Sequence, residues 1–158
     1  MQIRRPKIDE HSSVQALVQA VVNEVYGGVW ASPPLPIDDE DWSLAWVAVY
    51  GAKIVGMVLT HGEWISDLWV LGEHRRNGAG QQLLLRAEAE IAGRGHHTFR
   101  LRVVKSNVGA VSFYKRMGWR VAREFPHEKL PIDMLEMAKS RAGRRRTRFK
   151  EDQNGGSV

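Results

Sequence analysis

Apolar residues recur along the chain at two different spacings, and each spacing predicts one type of element. A helical spacing near the N terminus predicts a first helix that ends at Gly27-Gly28. Ser12 and Gln15 have the arrangement of a capping box for this helix. Two further helices are predicted at residues 81–92 and 107–117. The apolar face of the first helix consists of Val14, Leu17, Val18, Val21, Val22 and Val25.

Stretches rich in β-branched and aromatic residues, separated by glycines and prolines, predict seven strands. An acidic run, residues 38–41, is expected to open a short helix at Trp42. The order of helices and strands predicts an α/β protein with a mixed sheet. A length of 158 residues predicts one domain, and 43% apolar composition suffices for its packed core. The predicted strands are residues 2–5, 44–50, 54–61, 64–70, 98–103, 119–125 and 132–137.

The composition excludes several kinds of site. The chain contains no cysteine, so disulfides, a thiolate nucleophile and cysteine metal ligands are excluded. No run of 18 apolar residues and no charged-then-apolar leader is present, so we expect a soluble, cytoplasmic protein without a membrane partner. No metal is expected, because no metal-like spacing relates His61, His74, His96, His97 and His127.

The net charge of +5 is concentrated in the C-terminal segment. Residues 140–158 contain six basic and two acidic side chains, which leaves a net charge of +1 for residues 1–139. The segment has few apolar residues, so we expect a disordered tail after a folded domain of residues 1–139. The arginine-rich tail leaves nucleic-acid or ribosome binding open, whereas the charge of the domain does not indicate it.

Residues 70–80 join a predicted strand to a predicted helix, and their composition favours binding of a phosphate group. Unpaired N–H groups of the turn and of the first helical turn point at one place, and the helix dipole adds positive potential. Gly78 and Gly80 allow a close approach of the backbone or a positive φ. Arg75 and Arg76 supply full positive charges.

Two common glycine-rich phosphate sites do not fit this turn. A P-loop is excluded because Gly80 is followed by two glutamines instead of Lys-Ser/Thr. A dinucleotide fingerprint is excluded because Leu83 stands where a third small residue is required. The pattern Arg75-x-x-Gly78-x-Gly80 resembles instead the acyl-CoA signature of the GNAT superfamily of N-acetyltransferases, Gln/Arg-x-x-Gly-x-Gly/Ala.

A second stretch carries a more specific resemblance to the same superfamily. It reads Leu101-x-Val103-x-x-x-Asn107-x-x-Ala110-x-x-Phe113-Tyr114, followed by Gly118-Trp119. This is similar to the second GNAT signature, which has a strand, an asparagine, Ala-x-x-Phe-Tyr and then Gly-aromatic. The resemblance covers residues 2–139 and implies the GNAT fold, a mixed and mostly antiparallel central sheet flanked by helices.

The resemblance implies that the protein uses acetyl-CoA as a cosubstrate, bound where the sheet splays between the strands at 64–70 and 98–103. Asn107 is expected to bond the pantetheine arm, and an asparagine there is also a favoured helix N-cap. Family members bind the rest of that arm through backbone groups, at positions that match Leu68, Trp69 and Val70. The pyrophosphate is expected on Arg75, Arg76, Asn77, Gly78, Ala79 and Gly80.

The implied reaction is direct transfer of the acetyl group to a primary amine, with Tyr114 as the general acid for the departing thiolate. A phenol with a pKa of about 10 stays protonated at neutral pH and can donate to sulfur. Asn107 and Tyr114 are seven residues apart and are therefore expected on one face of the short helix. A core tyrosine that only packs its ring is the alternative.

A carboxylate on the strand before the glycine turn is the expected general base. Glu63 and Asp67 are four residues apart and are therefore expected on one face with Ile65. Asp67 resembles the acidic position that some small-amine acetyltransferases carry here, although Ser66 stands where those enzymes often have a glutamate. A surface charge, or a salt bridge to an arginine, is the alternative for both carboxylates.

Two loops, residues 26–42 and 126–131, are expected to form the acceptor pocket. Tyr26, Trp30, Trp42 and the acidic run favour a cationic amine, unless the tryptophans are core residues and the acids only open a helix. The acceptor is a small amine or a protein or peptide amine. A non-catalytic acyl-CoA-binding or partner-binding module remains the alternative function. A homodimer is expected only because dimers are frequent in the superfamily.

Overall fold

The computed structural model describes residues 1–27 and 40–141 with their side chains, and the backbone of two short paired strands, Gln153–Asn154 and Gly156–Ser157. The predicted α/β fold and the predicted order of its elements are confirmed. The helices are α1, His11–Tyr26; α2, Ala79–Gly93; and α3, Val108–Arg116. The strands of the main sheet are β1, Gln2–Arg4; β2, Trp46–Tyr50; β3, Lys53–His61; β4, Trp64–Val70; β5, Thr98–Val104; β6, Arg120–Pro126; and β7, Asp133–Ser140.

The seven strands form one sheet in the order β1-β2-β3-β4-β5-β7-β6. Every neighbouring pair is antiparallel except β4 and β5, which are parallel, so the predicted mixed and mostly antiparallel sheet is confirmed. The parallel pair is short, since only Trp64 with Arg100 and Ile65 with Leu101 are in register. Beyond these two pairs the strands separate and leave a split in the middle of the sheet.

The helices cover the sheet on both sides and bury two apolar clusters. On one side α2 and α3 pack on the sheet, with Leu83, Leu84 and Ile91 of α2 completely buried. On the other side α1 packs Val14, Val18 and Val21 against β2 and β3. Burial of each such side chain contributes about 1.5–3 kcal/mol. Strand β4 contributes Ile65 and Val70 to the first cluster, and its Trp69 packs against the second.

The N terminus of α1 differs from its prediction. The helix begins at His11, so Ser12 lies inside it and the expected Ser12–Gln15 capping box is wrong. A 3₁₀ turn over Ile8–Glu10 precedes the helix instead. The Glu10 carboxylate accepts from the Lys7 N–H at 2.7 Å and from Arg4 at 2.8 Å, and these bonds hold the pKa of Glu10 down at about 2. A glutamate in the preceding turn therefore organises this helix entry.

The short helix predicted at Trp42 is present as a 3₁₀ turn over Trp42–Leu44. The Asp41 carboxylate caps it by accepting from the Ser43 N–H at 3.1 Å. Leu44 belongs to this turn, so the predicted strand starts two residues later, at Trp46. Trp30 and residues 38–39 of the acidic run lie outside the described residues.

The described helices are all too short or too polar to cross a membrane. Most of the predicted tail, residues 140–158, lies outside the described part of the chain. The disorder of the tail and the domain boundary at residue 139 therefore stay predictions. The structure does show that β7 continues through Ser140 and pairs there with Thr98.

Candidate functional site

The split between β4 and β5 exposes one edge of β4 in the middle of the sheet. On its other edge β4 pairs with β3 as far as Val70, opposite Gly56. On the β5 side its pairing stops at Ile65, and no described strand covers the edge from there to Val70. The main chain at Leu68, Trp69 and Val70 therefore has one edge that no described strand pairs with, and such an edge can accept an extended ligand.

The turn after β4 presents a group of backbone N–H donors. Gly78 has φ +82°, a conformation that glycine adopts without strain, and it directly precedes α2. None of the hydrogen bonds among the described residues uses the N–H groups of Ala79, Gly80 or Gln81. These donors and the positive end of the helix dipole suit a phosphate group.

The two arginines of the turn have different surroundings. Arg75 donates from Nε to the Val70 carbonyl at 3.1 Å, and its two terminal nitrogens bind the Glu24 carboxylate of α1 at 3.2 Å each. Arg76 is exposed and has no hydrogen bond or ion pair with the described residues. Arg75 thus braces the end of β4 against α1, and Arg76 is the cation that remains available to an anionic ligand.

Asn77 lies between the arginines and the helix, with an exposed side chain. Its amide nitrogen is 3.0 Å from Nδ1 of His74, and its backbone N–H donates to the His74 carbonyl at 3.2 Å. These bonds stabilise the turn in the shape that leads to the left-handed Gly78. The structure therefore shows Asn77 shaping the turn.

Asn107 performs the N-cap role that the sequence predicts. Its Oδ1 accepts from the Ala110 N–H at 3.2 Å at the start of α3. Its Nδ2 donates to the Tyr26 hydroxyl at 3.1 Å, which links the end of α1 to the start of α3. Tyr26 also packs edge-on against Trp69 of β4, with ring centroids 6.1 Å apart. Tyr26 and Asn107 therefore bridge the two sides of the split.

Tyr114 of α3 is buried, with 8% of its surface exposed, and its ring packs between Phe113 and Trp119 at centroid distances of 5.3 and 6.0 Å. Burial raises the pKa of Tyr114 above its usual value, and the nearby Tyr26 phenol adds to the rise. Among the described residues its hydroxyl has no hydrogen-bond partner. The phenol is therefore protonated at neutral pH, with a proton to donate.

The prediction that Asp67 lies on one face with Ile65 is wrong. The register of β4 with β3 passes from Asp67 to Ile65, so Ser66 is an extra residue in a β-bulge. The bulge reverses the alternation: Ile65 belongs to the cluster under α2, whereas Trp69, which binds Asp67, packs on the side of α1. Glu63 is instead an ion-pair partner of Arg100, at 2.5 Å.

Asp67 has the surroundings of a group that exchanges a proton near neutral pH. Trp69 Nε1 donates to its Oδ1 at 3.0 Å. Burial, with a smaller contribution from the nearby Glu40 carboxylate, raises the pKa of Asp67 to about 6. Glu40 itself lies 3.6 Å from Nε2 of His61. Above pH 6 the Asp67 carboxylate is a poorly solvated base beside the split.

The comparison with protein families agrees with this geometry. The model of the acetyltransferase (GNAT) family matches residues 16–119, more than half of the chain. This chain belongs to the GNAT acetyltransferase family. The matched range ends at Trp119 and so contains the split, the glycine turn and Tyr114.

Solved structures that resemble this GNAT chain share its fold at low identity. The apo form of YjaB from Escherichia coli has 22% identity and a TM-score of 0.68, over 89% of this chain and 98% of its own. The PaiA N-acetyltransferase of Thermoplasma acidophilum, in complex with coenzyme A, has 18% identity and a TM-score of 0.67, over 88% of this chain and 98% of its own. Naa20 of Chaetomium thermophilum, in complex with a bisubstrate analogue, has 21% identity and a TM-score of 0.66, over 100% of this chain and 96% of its own.

The GNAT chain also uses residues that the sequence reasoning missed. Glu88 of α2 is 8% exposed and binds both Trp119 Nε1 at 3.0 Å and Lys139 Nζ at 2.9 Å. Lys139 also donates to the Met117 carbonyl at 2.9 Å. This network fixes the turn after α3 and hence the wall behind Tyr114. The one sequence signal for this network is Glu88 itself, a glutamate at a position of α2 where the helical spacing predicts an apolar residue.

Other features of the described part of the GNAT chain lie away from the split or are not metal sites. Within residues 1–27 and 40–141, no group of three His, Asp or Glu side chains is close enough to hold a metal ion. A surface cavity of about 560 Å³ lies elsewhere, next to the start of α1 and the β2–β3 turn. Its lining residues are Glu10, Ser13, Ala16, Leu17, Ala52, Lys53, Ile54 and Leu71.

Proposed function

We propose that this GNAT protein transfers an acetyl group from acetyl-CoA directly to a primary amine. The observation that carries the proposal is the split between β4 and β5, which stops their pairing after Ile65. The proposal assigns to this gap the backbone donors at the start of α2, the Tyr114 phenol and the Asp67 carboxylate. No other region of the described structure combines these groups.

The chain's own residues fit coenzyme A along this gap. The N–H groups at the start of α2, with Arg76, would hold the pyrophosphate, since anions bind helix N termini through such donors. The uncovered edge of β4 would pair with the amides of the pantetheine arm. Asn107, whose Oδ1 is committed to the α3 cap, would offer to the same arm the second hydrogen of its Nδ2, since the first is donated to the Tyr26 hydroxyl. When bound, acetyl-CoA supplies a thioester that is activated towards amines.

Asp67 is the proposed base. An alkylammonium must lose a proton before its nitrogen can attack, and a carboxylate with a pKa of about 6 accepts that proton directly or through water. Glu63 is the less suitable candidate, because its carboxylate is already paired with Arg100 at 2.5 Å. The new bond joins the amine nitrogen to the acetyl carbon, and the carbon–sulfur bond breaks.

Tyr114 is the proposed acid. The departing thiolate needs a proton, and the buried phenol keeps its proton at neutral pH because desolvation raises its pKa. The Tyr114 ring packs against Trp119, which Glu88 in turn holds through a hydrogen bond. Proton transfer of this kind contributes about 10²–10⁴-fold to a rate.

Two measurements on the full chain test the proposal. Calorimetry with coenzyme A should show one site, and thiol release from acetyl-CoA should depend on an added amine from a panel of small amines and peptides. Binding without amine-dependent thiol release from any acceptor would favour a non-catalytic acyl-CoA-binding module. Absence of coenzyme A binding would contradict both the proposed acetyl transfer and the non-catalytic acyl-CoA-binding module.

The class of acceptor and the assembly state are further parts of the proposal. Naa20 was solved with a bisubstrate analogue, and that protein's likeness here, at 21% identity, supports a shared fold without choosing between small amines and peptides. Nucleic-acid binding by the arginine-rich tail and a homodimer both stay predictions. Deletion of residues 140–158 followed by gel-shift and sedimentation measurements would test them.

A further inference from the structure

A row of arginines lies beside the split on β5 and β6, on the face of the sheet opposite α2 and α3, and two of them, Arg102 and Arg123, are exposed. Arg100 binds Glu63 at 2.5 Å and Glu136 at 3.3 Å. Arg123 binds the same Glu136 carboxylate at 3.1 Å. Two of the three arginines in this row therefore have carboxylate partners.

Arg102 lies between Arg100 and Arg123 and has no carboxylate partner among the described residues. Its cross-strand neighbour on β7 is Glu136, but both oxygens of that carboxylate bind Arg100 and Arg123. The guanidinium of Arg102 lies instead over the rings of Trp64, 4.7 Å from the centroid, and Phe125, 5.7 Å away. Contact with ring faces leaves the in-plane N–H donors unused, and this planar fork matches a carboxylate.

The register of the sheet places Arg102 beside the reacting groups. β4 and β5 are parallel, with Trp64 level with Arg100 and Ile65 level with Leu101. The next residue, Arg102, is therefore level with the bulge at Ser66 and Asp67, where the strands separate.

Arg102 and Asp67 also lie on the same side of the sheet. Leu101 and Val103 belong to the cluster under α2 and α3, so Arg102 between them projects to the opposite side. Asp67 is on that opposite side too, with Trp69. A carboxylate and a guanidinium without a carboxylate partner therefore flank the opening of the split.

We propose that Arg102 binds a carboxylate of the acceptor, so the preferred acceptors are amines that carry a carboxylate group, as amino acids and acidic peptides do. The inference rests on the proposed function and specifies the acceptor for the same site. Asp67 would attract the ammonium end and Arg102 the carboxylate. A polycationic amine would place a second ammonium near Arg102, which repels it.

Matched acceptors test this without changing the reacting amine. Two peptides with the same N-terminal residue and either Glu or Gln at the second position present α-amines of the same kind. We expect kcat/KM to be at least about fivefold higher for the Glu peptide. A second pair, a free amino acid and its amide, distinguishes an α-carboxylate from a side-chain carboxylate as the bound group.

Variants assign the effect to Arg102. Arg102→Gln should abolish the preference by lowering kcat/KM for the carboxylate-bearing acceptor to about the value for its neutral partner. Arg86→Gln is the matched control, because Arg86 also lies over a tryptophan ring, Trp46 at 4.5 Å, on the α2 side of the sheet. That variant should keep the preference.

Two results would overturn the inference: equal kcat/KM within both acceptor pairs, or a preference that survives in Arg102→Gln. Either result requires measurable thiol release, so the proposed function would stand. Failure of the proposed function is a different outcome, in which the wild-type chain releases no thiol with any of the four acceptors.

Discussion

The two ends of the split present chemical groups of different kinds. At the α2 end the donors are main-chain N–H groups, positioned by one left-handed glycine and the start of a helix. At the other end the groups are individual side chains, Asp67, Tyr114 and Arg102, whose directions depend on a bulge, a buried network and two aromatic rings. A main-chain site tolerates many sequences, whereas a side-chain site changes with a single residue or register.

The largest effect is expected at the side-chain end. Tyr114→Phe removes the hydroxyl and keeps the ring that packs on Phe113 and Trp119, so the fold should be unchanged. We expect kcat to fall about 10²–10⁴-fold, with the dissociation constant for coenzyme A nearly unchanged. Steady-state kinetics and calorimetry measure the two quantities. Wild-type turnover in this variant would remove Tyr114 from the chemistry.

Asp67→Asn should produce the next largest loss. In the wild type, kcat/KM should rise with pH through about 6 as Asp67 loses its proton, and the variant should lack this rise and be about tenfold or more slower. Glu63→Gln is the comparison, and it should have a smaller effect because Glu63 is an ion-pair residue. The opposite ranking of the two variants would make Glu63 the base.

The same carboxyl links pH to stability. Because the folded-state pKa of Asp67 is raised above its unfolded value, the folded protein binds the proton more tightly, and stability falls as pH rises from about 4 to 6. Asp67→Asn should therefore raise Tm at pH 8 relative to the wild type more than it does at pH 4.5. Equal differences at both pH values would mean that burial does not perturb this group.

The main-chain end should respond less to loss of side chains. Arg76→Gln removes a cation without described partners and should weaken coenzyme A binding about fivefold at low salt, without a change in Tm. Arg75→Gln breaks contacts with Glu24 and Val70 and should lower stability by up to about 1 kcal/mol. Calorimetry and urea unfolding separate these outcomes. A larger loss of affinity in Arg75→Gln would reverse the assignment.

The smallest effect is a backbone one. Gly78→Ala places a Cβ at φ +82° and should cost about 1 kcal/mol of stability, with a matching loss of affinity for coenzyme A. Gly93→Ala is the control, because a Cβ at this helical position meets nothing within 4 Å and should be neutral or stabilising by about 0.5 kcal/mol. Equal destabilisation by both variants would show that the left-handed conformation is unimportant.

The contrast between the ends also explains what the sequence could predict. Local patterns specify the glycine turn, the Asn107 cap and the order of the elements, since each depends on residues close together in the chain. The splay of the sheet and the family followed from two short motifs. The structure confirms these parts. They were predictable because helix caps and left-handed glycines have the same geometry wherever they occur.

The remaining features depend on residues far apart in the chain. The bulge at Ser66 arises in the pairing of β4 with β3, and simple alternation along the strand incorrectly placed Asp67 on the face of Ile65. The bond between Tyr26 and Asn107 joins residues 81 positions apart. The Glu10 turn replaced the expected capping box because Arg4 and Lys7 bind its carboxylate.

Titration of coenzyme A into isotope-labelled protein, followed residue by residue through the backbone amide resonances, tests the central claim most directly. We expect the largest shifts at Gly78–Gln81 and Leu68–Val70, on the two borders of the split. Largest shifts around the cavity beside the start of α1, at residues such as Ser13 and Lys53, would contradict it.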